Sequence, residues 1–286
     1  MTTEIHHADT WEVAQTIAAP VNGDASAGSS AKTDFVVEVP SLGRFLRQVR
    51  ERQRHPVTGN KLSRELAARR IGLSGAYLVQ IENGSRVPAM QALRLLASGY
   101  DLSDAQCRYV RELREPSEPL VDHSGSQSGM GLRGLVRERL EEWDRAGVIA
   151  GYFDPLWSVV AGNSELFSAF PELDRIGNLA LWHFSDIAQA VLCDWEHEAR
   201  QMVAMLKPAL GRHRGAHASR NLLAQLAGNE DFCMIWTEYS EIAYAREPGD
   251  LIRFNGAGGR YSVNLEVSAV AAGRHCMHLY QGFRRT

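Results

Sequence analysis

The basic residues of this 286-residue chain are concentrated in one segment, where their chemistry is the neutralisation of anions. Between Ser41 and Glu115 there are fourteen lysine and arginine residues and seven acidic residues, a net charge of about +7. The whole chain carries −3, which leaves the remainder near −10. Such a basic segment can neutralise a polyanion such as the phosphates of DNA, with an affinity that falls steeply with salt. The acidic remainder would be repelled by the same polyanion, so we expect another role for it.

Patterns that would support catalysis or metal binding are weak. Gly256 to Gly259 is glycine-rich but falls between strand-like segments, so a hairpin turn explains it better than a phosphate-binding loop. Cys193 and His197 are one helical turn apart, whereas His275 and His278 would face opposite sides of a strand and could not easily share a metal ion. No serine lies in a G-x-S-x-G context. We therefore expect neither an enzyme nor a metal site.

Two short helices joined by a tight turn are predicted between Leu62 and Gly84. Ser74 suits the N-cap of the second helix, Gly84 a left-handed helix end, and Pro88 the first turn of the helix that follows. The apolar spacing gives each helix an inward face, made of Leu66, Ala67 and Ile71 in the first and Tyr77, Leu78 and Ile81 in the second. Helices crossed in this way hold the second at the surface, where it can enter a DNA major groove. Two helices of an ordinary core are the alternative.

The same segment carries a specific motif. Its residues are Leu62-Ser63-x-Glu65-Leu66-Ala67, Ile71-Gly72 and Gln80-Ile81-Glu82-Asn83-Gly84. This motif resembles the helix-turn-helix of phage repressors and their bacterial relatives, the XRE class. The resemblance places the base-reading positions at Gly75, Ala76, Val79 and Gln80. Only Gln80 suits bidentate recognition of adenine and Ala76 could touch a thymine methyl, so specificity is expected to depend on Gln80, Ser74 and DNA shape.

Residues beside these positions are candidates for phosphate contacts. Arg64 opens the preceding helix, a position that contacts a phosphate in the XRE class. Asn83, Arg86, Arg69 and Arg70 are further candidates, although a solvated helix face explains Arg69 and Arg70 equally well. The expected partner is a double-stranded DNA operator. We also expect a homodimer, because one small module rarely binds tightly enough without a second half-site.

Changes in composition divide the chain into four predicted parts. Residues 1–39 form a flexible tail, with a short helix expected from Trp11 to Ala18; residues 40–115 form an all-α helix-turn-helix domain of five helices; residues 116–131 form a linker; and residues 132–286 form a second domain. The helices that flank the helix-turn-helix are predicted at Ser41–Gln53, with Leu42, Phe45, Leu46 and Val49 on one face, and at Ser103–Arg114.

The second domain is predicted to be α+β. A helix over Leu132–Ala146 precedes a hairpin of strands Val148–Phe153 and Trp157–Gly162, which turns at Asp154-Pro155. The helices that follow are expected at Asn163–Phe170, Asp186–Leu210, Ser219–Ala227 and Asp231–Ser240, and three strands at Leu251–Phe254, Arg260–Val270 and Arg274–Phe283. Two strands, a helical insert and three strands form the element order of a PAS-like domain, in which helices cover one face of an antiparallel sheet; other α+β folds share this order.

A second resemblance covers roughly Leu132 to Thr286. The residues that carry it include Phe153-Asp154-x-x-Trp157-x-Val159-Val160-Ala161-x-Asn163, Asn178-Leu179-x-x-Trp182-x-Phe184 and Asp194-Trp195-x-x-x-Ala199-Arg200. They resemble the MmyB-like ligand-binding domain, which follows an XRE-type domain in bacterial transcription regulators. The resemblance implies a PAS-like fold that binds a small apolar ligand, such as a fatty acid, and no other cofactor.

Candidate ligand contacts follow from that resemblance. The apolar candidates are Phe153, Val160, Phe167, Leu181, Leu192, Leu206, Trp236, Val263 and Leu265, and the polar candidates for a head group are Asn163, Trp182, Arg200 and Tyr239. Plain core packing is the alternative for the apolar residues and for Trp182, and a surface ion pair with Glu196 or Glu198 is the alternative for Arg200. The whole domain has two alternatives: it binds a protein partner, or it serves only to dimerise the chain.

Composition agrees with a globular protein of the cytoplasm. The chain is 44% hydrophobic and 23% charged, and it has no run of eighteen apolar residues, so no membrane span is expected. Its four cysteines form no C-x-x-C pair, which fits a reducing compartment. The sequence therefore predicts a cytoplasmic bacterial transcription regulator.

Overall fold

The computed structural model describes residues 37–55, 58–120, 128–238, 240–256, 258–272 and 275–285. Side chains are described in all of these except at 128–133, 135, 271–272 and 275–276. Residues 1–36 of the predicted tail with its expected helix, residues 121–127 of the predicted linker, and Tyr239 lie outside the described residues.

Thirteen helices and five strands occupy the described part of the chain. The helices are α1 (Leu42–Arg52), α2 (Arg64–Ile71), α3 (Gly75–Glu82), α4 (Met90–Gly99), α5 (Asp104–Arg114), α6 (Ser128–Arg145), α7 (Ser164–Ala169), α8 (Leu173–Ile176), α9 (Leu179–His183), α10 (Asp186–Val191), α11 (Trp195–Arg212), α12 (His217–Leu226) and α13 (Glu230–Glu238). The strands are β1 (Ile149–Phe153), β2 (Val159–Gly162), β3 (Leu251–Gly256), β4 (Gly259–Ala272) and β5 (His275–Arg285). No described helix is long and apolar enough to cross a membrane.

Contacts group these elements into two compact units. The helical unit comprises residues 37–122 and 195–248, and the sheet unit contains residues 123–194 and 249–286. Helices α11–α13, which the sequence analysis assigned to the second domain, therefore belong by their contacts to the helical unit.

The first five helices confirm the predicted helix-turn-helix domain. Serine hydroxyls cap four of these helices: Ser41, Ser63, Ser74 and Ser103 each accept a backbone N–H from the first turn. The inward face predicted for α1 is buried, with Phe45 and Leu46 at 1% exposure or less, and Tyr109 and Val110 of α5 are equally buried. One detail of the prediction is wrong: Pro88 lies before the helix, because α4 begins at Met90 after an extended Ala89.

Five antiparallel strands form the predicted sheet, in the order β2-β1-β5-β4-β3. β1 and β2 make the predicted hairpin, and Asp154 Oδ1 accepts the backbone N–H groups of Leu156 and Ser158 within its turn, both at 2.8 Å. Helix α6 packs on one face through Val136 and Leu140, against Tyr152, Met277 and Leu279. The α+β class of this part is thereby confirmed.

The predicted helix Asp186–Leu210 is wrong, because the chain breaks at Leu192–Asp194 into α10 and α11. At the break, Leu192 bridges Phe254, and the Cys193 N–H donates to the Arg253 carbonyl at 2.9 Å. These bonds to strand β3 replace helical ones, and helical periodicity carries no information about partners 60 and 62 residues away. The short helices α8 and α9 were not predicted, and α6 starts four residues before the predicted Leu132.

Candidate functional site

Helix α3 presents the predicted base-reading positions on its exposed side. Leu78 and Ile81 are 0% and 1% exposed and hold the opposite side of the helix in the core. Ala76, Val79 and Gln80 are exposed, while Gly75 is half-buried. The Ser74 hydroxyl accepts a hydrogen bond from the Tyr77 N–H at 3.2 Å. This N-cap starts the helix at Gly75, the first of the predicted base-reading positions.

A buried ionic cluster joins the helix carrying Gln80 to its two neighbours. The Glu82 side chain is 0% exposed and accepts from Arg50 Nε at 2.6 Å, Arg50 Nη2 at 2.9 Å and Arg64 Nε at 2.7 Å. Burial of the Arg50 guanidinium lowers its pKa, but the hydrogen bonds and charge of Glu82 outweigh burial, and the net shift is upward. Arg64 keeps 35% of its side chain exposed, so its anchored guanidinium can still meet a phosphate.

The sequence analysis missed this cluster. Glu82 lies four residues after the buried Leu78 and therefore on the buried face of α3. A carboxylate on a buried helix face needs a cationic partner, which was the signal available in the sequence.

The other phosphate candidates lie at the end of α2 and just after α3. Asn83 is exposed at the C-cap of the helix. Arg86 is exposed, and its guanidinium carbon lies 5.0 Å from the ring centroid of Tyr77. Arg69 and Arg70 are exposed at the end of α2, with Arg69 at 3.9 Å from Glu65. Exposed donors thus precede and follow the reading positions in the sequence.

Candidate apolar ligand contacts are divided between the two units. Those in the sheet unit are Phe153, Val160, Phe167, Leu181, Leu192, Val263 and Leu265. Leu206 and Trp236 belong to the helical unit, where Trp236 Nε1 donates to the Glu38 carbonyl at 3.2 Å. Val160 packs with the α6 cluster.

Aromatic side chains form a cluster in the sheet unit, centred on Phe170. Phe170 lies 4.9 Å from Trp182, 5.4 Å from Phe254 and 5.9 Å from Tyr280, measured between ring centroids. Phe153 lies 5.5 Å from Tyr280 in an edge arrangement. Sequence reasoning identified Phe153 and Trp182 but missed Phe170, Phe254 and Tyr280, which three separate elements bring together.

The three polar candidates that the structure describes already have partners. Asn163 accepts the N–H groups of Ala150 and Leu166, each at 3.0 Å, and donates to the Val148 carbonyl at 2.7 Å. Trp182 Nε1 donates to the Pro171 carbonyl at 2.7 Å. Arg200 belongs to the helical unit and pairs with Glu196, the alternative that the sequence analysis named. Among the described residues, no group of three His, Cys, Asp or Glu side chains could hold a metal ion.

Family models match two parts of the chain. A helix-turn-helix domain model matches residues 41–110. A model described as the MmyB-like transcription regulator ligand binding domain matches residues 133–283, more than half of the chain. No curated protein matches the sequence. Both resemblances seen in the sequence are thereby confirmed.

Proposed function

The chain belongs to the MmyB-like transcription regulators, and from this premise we propose that it recognises a specific double-stranded DNA operator through α3 and senses a small apolar ligand through its sheet unit. A DNA-binding regulator is what the two matched domains support. The observation that carries operator recognition is the exposed side of α3, where Gln80 stands beside Val79 and Ala76 on a helix anchored by buried Glu82. Gln80 can bond to adenine, and the two apolar side chains suit thymine methyls.

The operator is obtained by selecting bound sequences from a random duplex pool with the full chain. Gln80→Ala is expected to lose about 1–3 kcal/mol on the selected site and little on random DNA. Arg64→Ala is expected to weaken binding to both DNAs about equally and to reduce the salt dependence. Equal losses on both DNAs for Gln80→Ala would contradict its base-reading role.

The ligand proposal is supported by the family match and by the aromatic cluster around Phe170. An apolar molecule such as a fatty acid suits these surroundings, because rings and aliphatic chains pack together without leaving polar groups unsatisfied. Native mass spectrometry of the purified chain, followed by denaturing extraction, tests the proposal. A stoichiometric apolar molecule supports sensing, whereas an empty protein that also ignores added fatty acids favours the second candidate, a domain that binds a protein or only dimerises.

A homodimer is part of the proposal, because two linked modules can occupy two half-sites one helical turn apart. Sedimentation of the full chain with and without the selected operator tests it. A chain that remains monomeric and binds a single half-site at full affinity would contradict it.

A further inference from the structure

A segment that leads from the end of α13 toward β3 packs on the helix-turn-helix domain. We call it the strap and define it as Thr237, Glu238, Ser240, Ile242, Ala243 and Tyr244. Ile242 is only 7% exposed and belongs to the same apolar core as α1 to α5, with Tyr244 packed against that core. The core of the DNA-binding domain is thus completed by residues more than 120 positions downstream of its last helix.

Polar side chains of α1 and α5 hold the strap. Gln48 Nε2 donates to the Thr237 carbonyl at 3.0 Å, and Arg52 Nη2 donates to the same carbonyl at 3.1 Å. From α5, Gln106 Nε2 donates to the Ser240 carbonyl at 3.1 Å. The Tyr244 hydroxyl donates to Glu112 at 2.6 Å, and the guanidinium of Arg108 lies 3.7 Å from the Tyr244 ring centroid.

A proline inside α11 provides a further attachment point. Pro208 has no N–H, so the Ala204 carbonyl one turn earlier lacks its helical donor. The Ala243 N–H of the strap donates to that carbonyl at 3.0 Å. Proline in a helix interior is unfavourable by about 3 kcal/mol. Here the carbonyl that Pro208 leaves without its helical donor accepts from the strap instead.

Helix α1 connects the strap to α3. Successive α-helical residues are 100° apart, so Gln48 and Arg52 lie on one side of α1 and Arg50 on the other. Arg50 forms the buried pair with Glu82 at the end of α3. The backbones of α1 and α3 are also in close contact, since a Cβ added at Gly43 would lie 2.2 Å from the Ile81 carbonyl oxygen. A shift of α1 must therefore move α3.

We propose that the strap is a positioning element for DNA recognition: by fixing α1 it fixes the orientation of α3, although no strap residue belongs to the reading surface. The inference rests on DNA binding through α3, as proposed above.

Two variants of the full chain test the proposal. Pro208→Ala gives α11 an N–H that competes for the Ala204 carbonyl, and Tyr244→Phe removes only the hydroxyl that reaches Glu112. Met234→Ala is the matched control, an exposed residue of the neighbouring helix α13. Affinity is measured on the selected operator and on random duplex, together with hydrogen exchange of α3 amides and the melting temperature.

Each strap variant is expected to lose about three- to tenfold in affinity for the operator, the effect of one hydrogen bond, with little change on random duplex. Amides of α3 and of Ala243 should exchange hydrogen faster in the strap variants. Met234→Ala should change neither the operator affinity nor the exchange of these amides. Loss of global stability alone would reduce binding to both DNAs alike. Unchanged operator affinity and unchanged α3 exchange in both variants would overturn the proposal. If the wild-type chain selects no DNA sequence, the proposed function is wrong. Hydrogen exchange of the α3 amides in the strap variants would then still show whether the strap fixes the position of α3.

Discussion

Replacing Glu82 by glutamine removes the charge that holds α1, α2 and α3 together. The substitution keeps the size of the side chain but leaves the Arg50 guanidinium, 5% exposed, with only the partly exposed Glu51 carboxylate, 3.2 Å away, as a counter-charge. Breaking a buried ion pair from one side typically costs about 3–5 kcal/mol. The glutamine oxygen still accepts one hydrogen bond, and the partly exposed Arg64 adds at most about 1 kcal/mol. We therefore expect unfolding of the helical unit to become easier by about 3 kcal/mol, at the lower end of that range.

Urea unfolding of the full chain, followed by far-ultraviolet circular dichroism, measures this loss. Glu65→Gln is the control, because Glu65 is exposed and 3.9 Å from Arg69, and it should change stability by no more than about 0.5 kcal/mol. Replacing the pair together, as Arg50→Met with Glu82→Leu, should recover most of the loss, since an apolar pair needs no compensating charge. A loss below about 1 kcal/mol for Glu82→Gln, with an unchanged urea slope, would refute the reasoning.

Three further substitutions test other contacts. Burial, with a smaller contribution from Arg52, lowers the pKa of Lys207 from 10.5 to about 7. The unfolded chain then binds more protons than the folded one between these values, so Lys207 makes stability rise with pH across that window. Lys207→Met should flatten this rise in melting temperature, and equal slopes for both proteins would contradict it. Gly43→Ala should cost about 1–3 kcal/mol in urea unfolding through its clash with the Ile81 carbonyl, whereas no loss would show that α1 can move away from α3. Asn163→Ala should cost about 2–3 kcal/mol, because one side chain caps α7 and also bonds β1 and Val148; a loss below about 0.5 kcal/mol would rule out that role.

The sequence predicted the helix-turn-helix domain well because its signals are local. Ser74 and Ser103 cap helices that begin at the next residue, and Gly84 has the expected left-handed φ of 74°. The hairpin through Asp154 and the three final strands were found for the same reason: alternation and turn residues lie within a few positions of each other.

Contacts between distant residues could not be predicted in this way. Glu82 and Arg50 are 32 residues apart, and Gln106 and Ser240 are 134 apart. Pro208 was visible in the sequence, but its meaning depends on Ala243, which binds the carbonyl that it leaves free. Such long-range contacts form only once the helices are packed together. The helix or strand propensity of either residue gives no information about them.

The aromatic cluster limits how a ligand can act on the sheet unit. Phe170 contacts Trp182, Phe254 and Tyr280, which lie on α9, β3 and β5. A molecule that inserts between these rings must separate side chains on different elements, because protein interiors are packed at the density of organic crystals. Phe254 is also the residue that Leu192 bridges, immediately before the chain enters α11. Displacement of Phe254 therefore also disturbs the turn between α10 and α11, so under the proposed function a ligand with different affinities for the two arrangements would shift the population between them.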